Sequence, residues 1–379
     1  MNAPTALNKV LDLIATTAAQ TPDDAHAMPP QVYASPELWE LEKERILRQE
    51  WYCVGRDTDF SVSGDYLSLT LLDEPVVVWR GADDQLRAMS NICRHRNALI
   101  TEQGTGNKRV LVCPYHKWTY EDNGQLRGAP DVPEHFDKSA ICLPQYPLEI
   151  WQGFVFVSLS AEPAPLAPRL GSLEELVGDT RMDQFAWSFR VPEKSLRANW
   201  KIMVENGMDG YHVAYVHPKT LGTNIQRIDS PWGDGQWNTS CERRNEPWPE
   251  HADDPQGLSE LNRINTYTIG VFPLLLFSLD CHCLIWYSIF PVSADECVVR
   301  AGVAARSPDK LCSVGSPEPV DPQEYMQWVT ELLGEDAPIV EGIQRAVQTD
   351  KAGCGPLIKG QEDNLQFFYR YLARHLCSQ

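Results

Sequence analysis

Four residues with soft or borderline donor atoms stand in two short strings, Cys93-Arg94-His95 and Cys113-Pro114-Tyr115-His116, with seventeen residues between His95 and Cys113. Each string carries one thiol and one imidazole. A zinc finger usually puts its two cysteines on one loop and its two histidines on the other. The interleaved order suits a two-iron, two-sulfide cluster in which one iron takes both cysteines and the other both histidines. A structural zinc site is the competing reading. Pro114 stiffens the second loop, and Tyr115, Trp118 and Tyr120 are at hand to shield a cluster.

A second group lies in NWKIMVENGMDGYHVAYVHPKTLG, residues 199–222, which carries Asn206, Asp209, His212 and His217. Asp209 and His212 are three apart and therefore neighbours on a helix. His212 and His217 are five apart, about 140° around a regular helix. They meet at one metal only if the helix ends or loosens between them. Pro218 predicts that ending, because the residue before a proline avoids the α region. Two histidines and one carboxylate form the facial triad of non-haem Fe(II), with positions left open for O2 and substrate. The carboxylate must come from elsewhere. Asp336 in GEDAPIVEGIQRAV and Asp363 in GQEDNLQFFYRYL each stand where a helix is expected to open, and spacing does not separate them. An acid in a first helical turn suits the helix dipole.

The elements that must position these groups are legible in outline. Ser35 followed by Pro36 predicts the start of an amphipathic helix over 35–49, with Leu38 where a full capping box needs Glu or Gln. From Trp51 to Val157, short β-branched runs such as PVVVWR and GFVFVSL alternate with turn clusters such as GADD and DNG, the pattern of a small antiparallel β domain. GTGNKR at 104–109 reads as a turn and not a phosphate loop. SAEPAPLAP at 160–168 reads as a linker. Helical patterns at 199–216 and 321–348 enclose strand-like runs between 264 and 305, an α+β arrangement with an antiparallel sheet. The expected division is an N-terminal helical segment at 1–44, a β domain at 45–160 and a metal-bearing α+β domain at 161–379.

Composition excludes several classes. With 33 Lys+Arg against 52 Asp+Glu the formal net charge is −19, which repels nucleic acid and anionic membranes. Eleven cysteines in 379 residues are too sparse for a disulfide scaffold, and the odd count favours a reducing, cytoplasmic setting. Asp12 interrupts the apolar run after Lys9, against a secretory signal. Pro273, Asp280 and His282 break the longest apolar stretch, against a spanning helix. No G-x-G-x-x-G follows a strand, so no dinucleotide site is expected.

Nearly the whole chain, from about residue 35 to about 376, resembles the catalytic α subunits of Rieske non-haem iron oxygenases, the ring-hydroxylating oxygenases. CRH…CPYH and ENGMDGYHVAYVH carry the resemblance. It implies a Rieske cluster on Cys93, His95, Cys113 and His116, and a mononuclear iron on His212 and His217. The family's ED-x4-E stretch with a nearby Gln matches GEDAPIVEGIQ, so Asp336 becomes the third iron ligand. Asp209 resembles the acid that bridges to a cluster histidine, here His116, across a subunit boundary, and Asn206 is placed near the iron. A head-to-tail homotrimer follows, with a β subunit left open by the short chain. Electrons are expected from a ferredoxin or flavin reductase, docked on a basic rim of Arg94, Arg96, Lys108, Arg109 and Lys117. Lys117 stands where many members carry Gly.

The string ENGMDGYH looks most like subunits that dioxygenate aromatic carboxylates, as in aromatic hydrocarbon catabolism. Such a substrate needs a cationic partner, for which Arg227, Arg243, Arg244 and Arg263 are available. Phe272, Leu276, Phe277 and Trp286 are candidate pocket walls or plain sheet core. The alternative is a monooxygenase acting on N- or O-methyl groups, including quaternary amines held by aromatic rings. A Rieske electron carrier without oxygenase chemistry is the reading from another class; it leaves the second domain unexplained. Cys281-His282-Cys283 reads as sheet packing, with alternation placing both thiols on one face.

Overall fold

The computed structural model describes residues 5–221, 232–244, 246–251, 254–311 and 319–378. The chain divides into two compact units, Gln49–Ala164 and Met1–Arg48 with Pro165–Gln379. The N-terminal segment, expected as a piece by itself, therefore belongs with the larger unit.

The smaller unit is all antiparallel β. Its largest sheet orders Gly104–Asn107, Asp65–Leu71, Glu74–Arg80, Leu86–Ser90 and Gln145–Tyr146. The edge strand corrects the expected turn at 104–109: its exposed Gly-Thr-Gly-Asn run pairs with Asp65–Ser68. In Glu74–Arg80 the run Val76–Trp79 is fully buried on both faces, so continuous apolar character replaces alternation. A three-stranded sheet of Leu111–Val112, Thr119–Tyr120 and Leu126–Gly128 carries the second Cys-His string. Cys93 and Cys113 sit in one core with Trp79, Met89, Leu111 and Tyr120.

The larger unit is built on an eight-stranded antiparallel sheet. Its central members are Trp237–Arg243, Asn265–Val271, Leu275–Leu279, Cys283–Ser293 and Glu296–Ala305, in sequence order, the last four joined by short turns. Helices Trp200–Met208, Pro322–Val347 and Asn364–Leu376 belong to the same unit. Ser35 caps the predicted helix, accepting from Leu38 N–H at 3.2 Å; the α-helix Pro36–Glu42 then widens to a π-turn over Lys43–Leu47. That segment is anchored to the 200–208 helix by a buried ion pair, Glu42 Oε1 to Lys201 Nζ at 2.6 Å, and by Trp200 Nε1 donating to Glu42 Oε2 at 3.0 Å. Charges so enclosed are tolerated because each has its partner.

Two helix predictions change. The stretch 199–216 is not one helix: it stops at Met208, Asp209 is extended (φ −74°, ψ 124°), and a short helix resumes at Val213–Val216. Asp336 does not open a helix. It lies inside the 26-residue helix Pro322–Val347, which starts at the Asp321 cap and runs through Pro338. Asp336 is therefore too far from the helix start to feel the N-terminal dipole, and its position on the helix face decides its role.

Candidate metal centres

The two Cys-His loops are built alike. Cys93 N–H donates to Ala98 O at 2.9 Å and Asn97 N–H returns to Cys93 O at 3.1 Å. Cys113 N–H donates to Trp118 O at 2.8 Å and Lys117 N–H returns to Cys113 O at 3.1 Å. Asn97 (φ 57°) and Lys117 (φ 59°) both adopt the left-handed conformation that closes the turn. That geometry favours glycine, so lysine is held there at a cost of about 1–2 kcal/mol.

The donors separate by type. Both thiols are buried, while His95 is exposed and His116 half-buried, their rings 4.6 Å apart. Trp118 stacks on His95 at 4.7 Å. Burial pushes the Cys93 thiol up, and Cys113 beside it adds to the rise; the Tyr120 hydroxyl, 3.2 Å from Cys93 Sγ, opposes it. Desolvation, with His95 and Arg96 nearby, keeps His116 low and hence neutral as a ligand must be. Among the described residues these four donors do not gather within 4.8 Å as one set. Thiols on the inside and imidazoles on the rim suit a two-iron cluster better than one zinc ion.

The second centre is tighter. Nε2 of His212 and of His217 are 3.2 Å apart, and Asp336 Oδ1 lies 3.5 and 3.1 Å from them. Ligands of an octahedral ion with bonds of about 2.1 Å stand about 3 Å apart, so the three atoms fit one metal face. Among the described residues, buried Asp336 Oδ1 has no hydrogen-bond donor, an orphan that a cation would satisfy. The break after Met208 brings His212 round to His217, which ends its short helix at φ −109°, ψ 42°. The loosening thus falls before His212 as well as at Pro218.

Each ring is held from behind. Asp209 Oδ2 lies 3.2 Å from His212 Nδ1, and Glu335 Oε2 lies 3.0 Å from His217 Nδ1. Thr220 donates to Glu335 Oε2 at 2.6 Å. Such carboxylates fix the tautomer and raise ligand basicity. Burial disfavours the charged form of His212, but Asp209 and Asp336 outweigh it and push its pKa up to about 9. Burial likewise opposes ionised Asp336, yet the two histidines hold it down at about 2. Asp363, the other candidate, is not with this group; it accepts from Gly360 N–H at 3.1 Å at the head of the last helix. Asn206 lies half-buried in the 200–208 helix, three residues before Asp209.

Sequence reasoning missed Glu335, although it is the first acid of the quoted ED pair, and it missed Glu205. Burial raises the Glu205 carboxyl to about 8, opposed by the Tyr33 hydroxyl donating to both its oxygens at 2.8 and 2.9 Å. Of the candidate arginines, Arg263 pairs with Asp254 at 2.9 Å, Arg244 stacks over Trp248 at 3.8 Å, and Arg243 ends a strand exposed. Arg227 lies outside the described residues. Cys281 and His282 are in a turn and not on the strand, so alternation does not govern them; His282 Nε2 lies 3.0 Å from Asp254 Oδ1. Of the proposed basic rim, Arg94, Arg96, Lys108, Arg109 and Lys117 are all exposed.

Fold and donor sets together define a two-centre iron protein, with a cluster-bearing β unit and a unit built for a facial triad. Residues 50–147 match the Rieske [2Fe-2S] domain, and residues 175–378, more than half the chain, match the ring hydroxylating alpha subunit catalytic domain. The chain belongs to the ring-hydroxylating oxygenase alpha-subunit family, and with it come a Rieske cluster and a mononuclear iron. It is 31% identical over 278 residues to the glycine betaine monooxygenase oxygenase subunit of Chromohalobacter salexigens, 68% of this chain and 62% of that one. It is also 31% identical to the anthranilate 1,2-dioxygenase large subunit of Acinetobacter baylyi, over 56% of this chain and 47% of that one. The chain thus spans less than two thirds of these relatives. Its fold matches the quaternary ammonium Rieske monooxygenase CntA in complex with gamma-butyrobetaine, with TM-score 0.77 and 23% identity over 96% of this chain and 98% of that one. Naphthalene 1,2-dioxygenase from Rhodococcus sp. matches with TM-score 0.77 and 20% identity over 97% and 98%.

Proposed function

We propose that the protein is the terminal oxygenase of a multicomponent system and hydroxylates a carbon attached to the nitrogen of a methylated or quaternary amine. The observation that carries this is the charge around the triad. Asp209, Glu335 and Asp336 touch the two histidines, Glu362 stands near Asp209 and His212, and no described Arg or Lys pairs with the first three. With Fe(II) offsetting Asp336, the remaining acids Asp209, Glu335 and Glu362 favour placing a cationic head group, and not a carboxylate, next to the iron. The relatives named for glycine betaine and carnitine point the same way. The anthranilate and toluate relatives keep dioxygenation of an aromatic acid as the second reading.

In this reading Cys93 and Cys113 hold one cluster iron, His95 and His116 the other, and His212, His217 and Asp336 the mononuclear iron. When bound, the two groups supply stored electrons and O2 activation. The chain's own residues do the rest. Asp209 and Glu335 fix the imidazoles, and the exposed His95 edge admits electrons from a ferredoxin or flavin reductase. Overall, O2, two electrons, two protons and the amine give water and a carbinolamine, which splits into an aldehyde and the shortened amine. The family resemblance adds a cytoplasmic homotrimer in which Asp209 meets His116 of the neighbouring copy, with Asn206 close to the iron. No helix among the described residues is long and apolar enough to cross a membrane.

The test is product analysis with a surrogate reductase, comparing trimethylammonium compounds with benzoate and anthranilate. Aldehyde released in step with electron consumption is the expected result. A cis-dihydrodiol from the aromatic acids, with the amines untouched, would overturn the proposal.

A further inference from the structure

One rung of the large sheet runs Asn238, Gly270, Leu276, Tyr287, Ala301 across five strands. Its face is the one covered by the 200–208 helix: a side chain at Gly207 would come within 2.3 Å of Leu276 Cδ1, and Asn238 Nδ2 reaches Met208 Sδ at 3.3 Å. Tyr325, from the helix that carries Asp336, adjoins Cys283, which shares this face of its strand with Tyr287. Tyr287 is therefore the one aromatic of a rung otherwise made of small or aliphatic groups and Asn238, on the face that the 200–208 helix covers and that Tyr325 of the Asp336-bearing helix adjoins.

Three features separate it from an ordinary core tyrosine. The side chain is half-buried and not sealed into the sheet core as its strand neighbours Trp286 and Ser288 are. Among the described residues its hydroxyl has no hydrogen-bond partner, although buried phenols ordinarily find one. The Asp336 carboxylate is near enough for its charge to act on the phenol. Phe277 and Trp286, offered by the sequence as pocket walls, pair with each other one residue out of phase, on the opposite face of the sheet.

We infer that Tyr287 is a specificity-determining residue whose ring face receives the substrate's alkylammonium head beside Asp336. A neutral, electron-rich ring next to a carboxylate selects a cation over an uncharged group of the same shape. This inference rests on the amine reading above.

The experiment is calorimetric binding to the anaerobic, iron-loaded protein. The probes are glycine betaine and γ-butyrobetaine, each beside the isostere in which a tert-butyl group replaces trimethylammonium. Wild type is expected to prefer the cations about ten- to thirtyfold. Tyr287→Phe keeps that preference, and Tyr287→Leu reduces it to about threefold or less, both with unchanged iron and sulfide content. A preference that survives Tyr287→Leu, or one lost equally in Tyr287→Phe, overturns the role of the ring while leaving the amine reading intact. Wild type that binds the isosteres as well as the cations, or binds neither, overturns both. If Tyr287→Leu fails to load iron, Tyr287→Met takes its place with the same criteria.

Discussion

Glu335 Oε2 lies 3.0 Å from Nδ1 of His217, on the ring nitrogen opposite the one that faces Asp336. Two consecutive residues of one helix thus address the two sides of a single imidazole. Glu335 also accepts from Thr220, whose carbonyl takes the Trp328 indole N–H at 2.9 Å, so the carboxylate is itself held in place.

Glu335→Ala is expected to weaken mononuclear iron binding about 10- to 100-fold, the usual cost of losing an outer carboxylate behind a ligating histidine. Glu335→Gln, which keeps an acceptor for the Nδ1 proton, should lose less. Iron retained against a graded chelator series measures both. Equal retention in Glu335→Ala and wild type would remove the orienting role.

Asp336 and Asp363 give opposite expectations. Asp336→Ala should deplete the mononuclear iron, leaving two irons and two sulfides per chain with the cluster's visible spectrum intact. Asp363→Ala should keep all three irons, because that side chain caps Gly360 away from the histidines. Metal and sulfide analysis of the two purified variants decides between them.

Much of this was legible in the sequence, for physical reasons that differ by site. Cys93, His95, Cys113 and His116 stand out in the sequence because each pair is local, two or three residues apart, and local spacing survives folding. Asp336 was ambiguous with Asp363 because its partners are more than a hundred residues away, and only helix packing chooses the face. The helical pattern at 321–348 matches the helix Pro322–Val347, which runs through Pro338 and so leaves Asp336 in mid-helix and not in a first turn. Of the residues offered as pocket walls or plain sheet core, Leu276 shares the face of Tyr287 while Phe277 and Trp286 point to the other, because a strand's faces alternate and register is not written in the sequence.

Glu205 sets a pH dependence. Its ordinary carboxyl value of 4.5 rises to about 8 on burial, so the folded chain keeps a proton that the unfolded chain sheds. The stabilisation is complete below 4.5 and is lost as pH rises through about 8. Glu205→Gln, uncharged at every pH, should flatten the fall of Tm across that window relative to wild type. Thermal melts in matched buffers from pH 5 to 9 give the comparison, and parallel curves would contradict a proton held on Glu205.

The last expectation concerns the cluster's potential. Tyr120 Oη already accepts from Arg94 N–H at 3.0 Å, which leaves its own hydrogen to be donated toward Cys93 Sγ at 3.2 Å. A hydrogen bond to a ligating sulfur stabilises the reduced, more negative cluster and so raises the potential. Tyr120→Phe removes that donor while keeping the ring in the core, where Tyr120 is fully buried. The midpoint potential should therefore fall, with iron and sulfide content unchanged. Burial and the neighbouring Cys93 push the phenol's pKa well up, so the decrement should be the same at pH 6 and pH 8. A decrement that vanished at either pH would mean that the phenol titrates or that the hydrogen points elsewhere.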